Sequence, residues 1–386
     1  MSHRKRRSRR QRAAMLTGAA AVTLIVVGLA VASFPRSGPR AGLGGTQSAS
    51  DNHPLGSGSA SAGASGGSQA PGGRYPSPGA SSDPAPGGTT PGGAHPAGTA
   101  WQLVPSAGAY LGAYVEPSAY TPAATIAAVQ SFQQTVGAPI TLVHTYHPWD
   151  SPFPNSADRY FVDSGKVLLL TWSGTPDTRK IIAGDYDGEI RARAEAVKRL
   201  GHPILMEFRH EMDRPNLQWA VHGPKNFIAA WDHIRAIFSE VGADNVGWVW
   251  CPTGWGFRTG RAQAFYPGNS EVDWVCADIY SATTSIPLQV AAEPFLRWAK
   301  GTGKPIMIGE FAASGSSSGW PNWLLAAGEL ASTDKQIRGM AYFDANGTDS
   351  QGRSFQYWLG DSGTALRTFG EMLSWPIFHP ITSSSR

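Results

Sequence analysis

Two glutamates stand in settings suited to acid–base and nucleophilic chemistry. Glu211 lies in the block Met206-Glu207-Phe208-Arg209-His210-Glu211-Met212-Asp213, and Glu310 follows the apolar run Pro305-Ile306-Met307-Ile308-Gly309. A facing pair of carboxyl groups suits cleavage of a glycosidic bond: one protonates the leaving oxygen while the other faces the anomeric carbon. Where the second acts as nucleophile, the two lie ~5–5.5 Å apart and configuration is retained. Glu211 and Glu310 are the candidates for such a pair. Arg209, His210 and Tyr280 are expected to hold Glu310 ionised and oriented.

Such a pair needs a scaffold that brings distant segments to one place. Eight short runs rich in Val, Ile, Leu and aromatics predict strands at 109–115, 140–145, 167–172, 203–208, 246–251, 274–280, 305–309 and 339–343. Amphipathic stretches separate them. In one, at 225–241, Phe227, Trp231, Ile234 and Phe238 step along one face before Gly242. A second runs from Glu189 to Leu200 and stops at Gly201. The alternation predicts an α/β fold, a (β/α)8 TIM barrel, with its chemistry at the C-terminal ends of the strands. Strands four and seven would then face each other across the mouth. The same end gathers His144, His147 and Trp149 after strand two, Trp172 on strand three, Trp250 and Trp255 around strand five, and Asp278 and Tyr280 on strand six.

Sugar rings present apolar C–H faces that aromatic side chains bury well. Trp149, Trp172, Trp219, Trp255, Trp320 and Trp323 fall in predicted loops at the active end, and about half are expected to touch substrate. Trp231, Trp248, Trp274 and Trp298 occupy core-like positions.

The block 206–213 followed by Trp219 resembles the strand-four motif of glycoside hydrolase family 26, best known for β-mannanases. Similarity continues through Val246-Gly247-Trp248-Val249-Trp250-Cys251-Pro252, Tyr266-Pro267-Gly268, the stretch from Val272 to Tyr280, and Pro305 to Phe311. It spans about residues 109–345. The resemblance implies Glu211 as the acid/base and Glu310 as the nucleophile, with His210 and Tyr280 at supporting positions. Two departures bear on the substrate. Phe343-Asp344 stand where clan relatives often carry a tryptophan platform, and the family's Arg-x-x-His-Glu spacing is compressed to Arg209-His210-Glu211. The expected activity is that of a retaining endo-β-1,4-mannanase. The alternatives are a hydrolase of mixed-linkage glucan, xylan or host exopolysaccharide, and a non-catalytic carbohydrate-binding relative.

Ten of the 32 Lys and Arg residues, but only Asp51 and Asp83 among the 28 acids, lie in the first hundred positions. The formal charge of +4 therefore belongs to that segment, and a nucleic-acid partner is not expected. Arginines at 4–12 precede an uncharged run at 13–34, the layout of an export signal. Ala30-Val31-Ala32 offers a cleavage site, whereas the run is also long enough for a retained membrane anchor. Residues 35–100, dominated by Gly, Ser and Pro, read as a disordered linker, and 101–386 as the catalytic domain. The expected location is extracytoplasmic, secreted or tethered to the outer face of the membrane, with a polysaccharide or oligosaccharide partner and a monomeric state. Cys251 and Cys276 fit either a disulfide or two buried thiols. No metal or cofactor is expected: His210-Glu211 lacks the second histidine of a zinc motif, and Gly315–Gly319 matches a serine-elbow pattern without the helix it requires.

Overall fold

The computed structural model describes residues 103–315, 318–348 and 354–382. Eight parallel strands close into a barrel: β1 (Tyr110–Val115), β2 (Leu142–Pro148), β3 (Val167–Ser173), β4 (Ile204–Phe208), β5 (Val246–Trp250), β6 (Trp274–Ser281), β7 (Ile306–Ala313) and β8 (Ile337–Asp344). Closure comes from β8 pairing with β1 in one unbroken register, Tyr110 with Gly339 through Val115 with Asp344. This is the (β/α)8 architecture read from the sequence. A short antiparallel arm, β9 (Asn346–Thr348) and β10 (Ser354–Gln356), follows the last strand.

The strands bury both faces, so inward and outward residues are equally apolar. Leu142, Leu169, Leu205, Trp274, Cys276, Met307 and Ala341 fill the interior. Leu168, Leu170, Met206, Trp250, Ile306 and Ile308 face the helices instead. The helix Pro224–Val241 docks Phe227, Trp231, Ile234 and Phe238 on that outer surface and ends at Gly242 in a left-handed conformation (φ 72°), as Asp187–Leu200 ends at Gly201 (φ 74°). Both stops were legible as glycines, which adopt that conformation without a Cβ clash.

One strand departs from its predicted bounds in a way that matters. β7 continues to Ala313, so Glu310 lies within it rather than after it. Cys251 and Cys276 are joined as a disulfide in the barrel interior, linking the end of β5 to β6. Among the described residues no helix is long and apolar enough to cross a membrane. The apolar run at 13–34 and the linker at 35–100 lie outside the described residues.

Candidate active site

Strand parity decides which side chains reach the barrel mouth. On β2 the inward positions are Leu142, His144 and Tyr146, and on β6 they are Trp274, Cys276, Asp278 and Tyr280. Along β7 the same alternation, starting from inward Met307, would turn Glu310 outward. A bulge prevents this. Ala277 pairs with Ile308 but Asp278 pairs with Glu310, leaving Gly309 as the extra residue. Beyond Gly309 the pleat is reset, and Glu310 points inward beside Asp278.

Glu310 is held from several sides. The Tyr146 hydroxyl donates to Oε1 and the Tyr280 hydroxyl to Oε2, both in short contacts. His210 Nε2 lies 4.0 Å from Oε1. Burial, then the charge of Glu211, push the Glu310 carboxyl up to about 7, against the opposing pull of the two tyrosine hydroxyls and Arg214. Burial followed by the Glu310 charge keeps both tyrosines protonated, well above their ordinary range. Burial also lowers His210 to about 4, so it is neutral at physiological pH.

Glu211 is presented by a turn in which Arg209 (φ 49°) and Glu211 (φ 54°) both adopt the left-handed conformation. Each costs on the order of 1–3 kcal/mol for a residue with a Cβ. Backbone bonds from Arg209 N to Trp172 O (3.0 Å) and from Glu211 N to Cys251 O (2.7 Å) pin the turn between β3 and β5. Asp213 anchors its far end by accepting from Thr253 N and Oγ1 at 2.9 and 2.6 Å. Arg214 then grips both Glu211 oxygens, Nε 2.5 Å from Oε2 and Nη2 2.6 Å from Oε1.

This corrects the expectation for Arg209. Its guanidinium is buried and donates to the Pro176 carbonyl in the β3 loop, away from Glu310. The cation at the site is Arg214, invisible to sequence reasoning because only the folded turn brings it back to Glu211. Two more buried acids, Glu207 on β4 and Asp278, lie on inward positions. Their signal in the sequence was an ionisable residue at inward parity on a central strand. His210, Glu211 and Asp278 offer atoms within 4.8 Å of one another, but Arg214 already occupies Glu211, which makes this a poor cation cage.

Several predicted contacts lie elsewhere. His147 has the opposite parity to His144 and pairs with Asp158 at 3.0 Å on the helix side. Trp172 is fully buried and stacks on Trp149, centroids 4.1 Å apart and planes 2° apart. Trp250 packs outward against Trp298 and Tyr266. Trp320 and Trp323 are buried, their indole N–H groups donating to Ala313 O and to Ser281 and Ile286. Only Trp219 (63% exposed) and Trp255 (40%) remain open from that set, with the Arg261 guanidinium 5.8 Å from the Trp255 ring. His144 is at the site but beneath it, its ring buried against Thr171 and Gly309. Unforeseen was the arm after β8. It stacks Tyr357 on Tyr280 (5.1 Å) and leaves Trp358 exposed, supplying aromatic surface where the strand itself offers Phe343.

No family model matches this chain. It is 29% identical over 220 residues to Endoglucanase H of Acetivibrio thermocellus, a match covering 52% of this chain and 24% of that protein. The chain thus spans about a quarter of its relative's length. Among solved structures it resembles a GH26 β-mannanase from Bacteroides ovatus, BoMan26A, at TM-score 0.53 and 13% identity, covering 70% of this chain and 90% of that one. GH26C from Muricauda sp. gives TM-score 0.53 and 14% identity, covering 72% and 88%. A β-mannanase from a symbiotic protist of the termite Reticulitermes speratus, complexed with gluco-manno-oligosaccharide, gives 0.51 and 15%, covering 71% and 94%. At these identities the structural likenesses establish the fold. The site has to be argued from its own geometry.

Proposed function

We propose that this chain is a retaining glycoside hydrolase acting on a β-linked polysaccharide, with β-1,4-mannan the first substrate to test. The observation that carries this reading is the Glu310 bulge. It turns a carboxylate inward between two tyrosine donors, near enough to Glu211 on the β4 turn to feel its charge. In the first step Glu310 attacks the anomeric carbon while Glu211 gives a proton to the departing oxygen. In the second, Glu211 takes a proton from the water that releases the sugar. Tyr146 and Tyr280 orient Glu310, and neutral His210 can hydrogen-bond a sugar hydroxyl. With its carboxyl raised to about 7, Glu310 is ionised in only part of the molecules at neutral pH, and Arg214 holds both Glu211 oxygens. For one Glu211 oxygen to reach the departing oxygen, substrate must loosen one of these two contacts as it enters.

A second reading, a hydrolase of a β-glucan, is favoured by the name of the relative matched by sequence. Release of reducing sugar from mannan, glucomannan, mixed-linkage glucan and xylan, by the parent and by Glu310→Ala, separates these readings. Product from none of them, with binding retained, would leave a carbohydrate-binding protein. An inverted anomer in the first product by proton NMR would remove Glu310 as nucleophile. The basic flank and apolar run ahead of the domain support an extracytoplasmic location, and mass spectrometry of the mature N-terminus tests whether cleavage follows Ala32.

A further inference from the structure

Below Glu310, a chain of contacts crosses four strands of the barrel. Glu207 Oε2 on β4 lies 2.6 Å from Thr171 Oγ1 on β3. Thr171 Oγ1 lies 2.7 Å from His144 Nε2 on β2. His144 Nδ1 lies 3.1 Å from the carbonyl oxygen of Gly309, the extra residue of the β7 bulge. All three side chains are buried. Their distances fix the sites of hydrogen bonds, and counting hydrogens fixes the directions.

A carbonyl oxygen has no hydrogen to give, so His144 Nδ1 must carry one and donate to Gly309. Tyr146, 3.3 Å from the same nitrogen, has already given its hydrogen to Glu310. A neutral imidazole with Nδ1 protonated has a bare lone pair at Nε2. The one hydroxyl hydrogen of Thr171 then goes to Nε2. That leaves the Thr171 oxygen 2.6 Å from Glu207 with no hydrogen of its own between them, so the hydrogen must belong to Glu207. We infer that Glu207 is a neutral carboxylic acid and a positioning residue: its proton sets Thr171, which sets the His144 tautomer, which holds the Gly309 carbonyl and thereby the bulge that presents Glu310.

One other arrangement satisfies the same distances: a doubly protonated His144 paired with a Glu207 carboxylate, the proton shifted through Thr171. It requires two buried charges where the first requires none, with the ring nitrogen 3.7 Å from the carboxyl oxygen. The surroundings disfavour it. The other Glu207 oxygen faces Cys276 Sγ at 3.6 Å, and a sulfur bonded to Cys251 has no hydrogen to donate. Glu310, Glu211 and Asp278 are the other titratable groups that share charge repulsion with Glu207, and all are acids. Burial moves the two partners in the matching directions, His144 down to about 3 and Glu207 up to about 8.

The protonation state stands on these contacts alone; its purpose in presenting Glu310 rests on the hydrolase reading. Infrared difference spectroscopy of the full chain at neutral pH, parent against Glu207→Gln, is expected to show a protonated carboxyl band that Glu207→Gln removes and Asp278→Asn leaves in place. Nitrogen NMR of the histidines is expected to show His144 neutral with hydrogen on Nδ1. On hydrolysis, Glu207→Ala is expected to lower kcat by about tenfold or more with little change in KM. Glu207→Gln, whose amide can still donate to Thr171, is expected to restore most of that loss. A carboxylate signature for Glu207 together with an imidazolium at His144 would overturn the inference, as would a Gln variant as impaired as the Ala one. If the parent cleaves no polysaccharide, the spectra still decide the protonation state, and the failure falls on the hydrolase reading.

Discussion

The carboxyl of Glu211 lies edge to edge with the guanidinium of Arg214, three residues further along the same turn. The paired contact fixes where both carboxyl oxygens point. In the proposed reaction Glu211 gives and later takes a proton at one glycosidic oxygen, so it has to be aimed, and Arg214 is the side chain that aims it. Arg214→Met should therefore lower kcat by about tenfold or more, with less change in KM. The other groups around the pair, Asp213, His210, Asp278, Tyr280 and Glu310, are unchanged in that variant, which keeps the comparison clean. A kcat equal to the parent's would show that Arg214 does not position Glu211.

Glu310 carries a different burden. Burial and Glu211 raise its carboxyl from an ordinary 4.5 to about 7. Between those values the folded chain binds more protons than the unfolded chain, so this group's contribution to stability is present below pH 4.5 and is lost as pH rises through 7. At roughly 1.4 kcal/mol per unit the cost is on the order of 3 kcal/mol in alkaline solution. Glu310→Gln should abolish hydrolysis and raise Tm at pH 8, with the gain shrinking toward pH 5. A Tm difference independent of pH would show that the carboxyl is not held in this way.

The eight strands and the stops at Gly201 and Gly242 were legible because apolar runs, helical periodicity and glycine caps are local signals. Glu211 and Glu310 stood out as acids at strand ends. What the sequence concealed has one physical source: both faces of a parallel barrel strand are apolar, so alternation does not mark inside from outside. His147, Trp172 and Trp250 were therefore assigned to the mouth although their parity turns them to the helices. Parity relative to His144 would have identified His147. No local pattern announces the Gly309 bulge or the two left-handed residues that bring Arg214 back onto Glu211, because both depend on neighbouring strands.

Exposure divides the tryptophans into two groups with different expected phenotypes. Trp219 is open to solvent and buries little, so Trp219→Ala should leave Tm within about one degree. Its loss should raise KM for a long polymer by roughly two- to tenfold, since an aromatic platform contributes ~0.5–1.5 kcal/mol. Trp320 is buried and hydrogen-bonded to Ala313. Trp320→Ala should cost ~3–5 kcal/mol of stability while the remaining folded protein keeps its KM. Kinetics on long and short substrates, with thermal melts of both variants, checks the assignment. Equal effects on Tm would refute the division.

Gly309 is the tightest point under the proposed nucleophile. A Cβ there would lie 2.7 Å from Cys276 Sγ, 2.8 Å from Asp278 Oδ1 and 3.0 Å from Cys251 Sγ. The disulfide ties two strands together, so neither sulfur can yield without moving β5 or β6. Gly309→Ala must therefore push β7 outward, at a cost of ~1–3 kcal/mol or more for an overpacked interior. The same movement displaces Glu310, and a shift of ~1 Å in a reacting group can lower turnover about a hundredfold. Gly303 provides the contrast. It has a left-handed φ of 67° and nothing within 4 Å of a Cβ, so Gly303→Ala should lose ~1–2 kcal/mol to backbone strain alone and keep its kcat. Melts and kcat for the two variants separate crowding beneath the bulge from simple glycine strain. If Gly309→Ala turned over substrate at the parental rate, the bulge could not be what fixes Glu310.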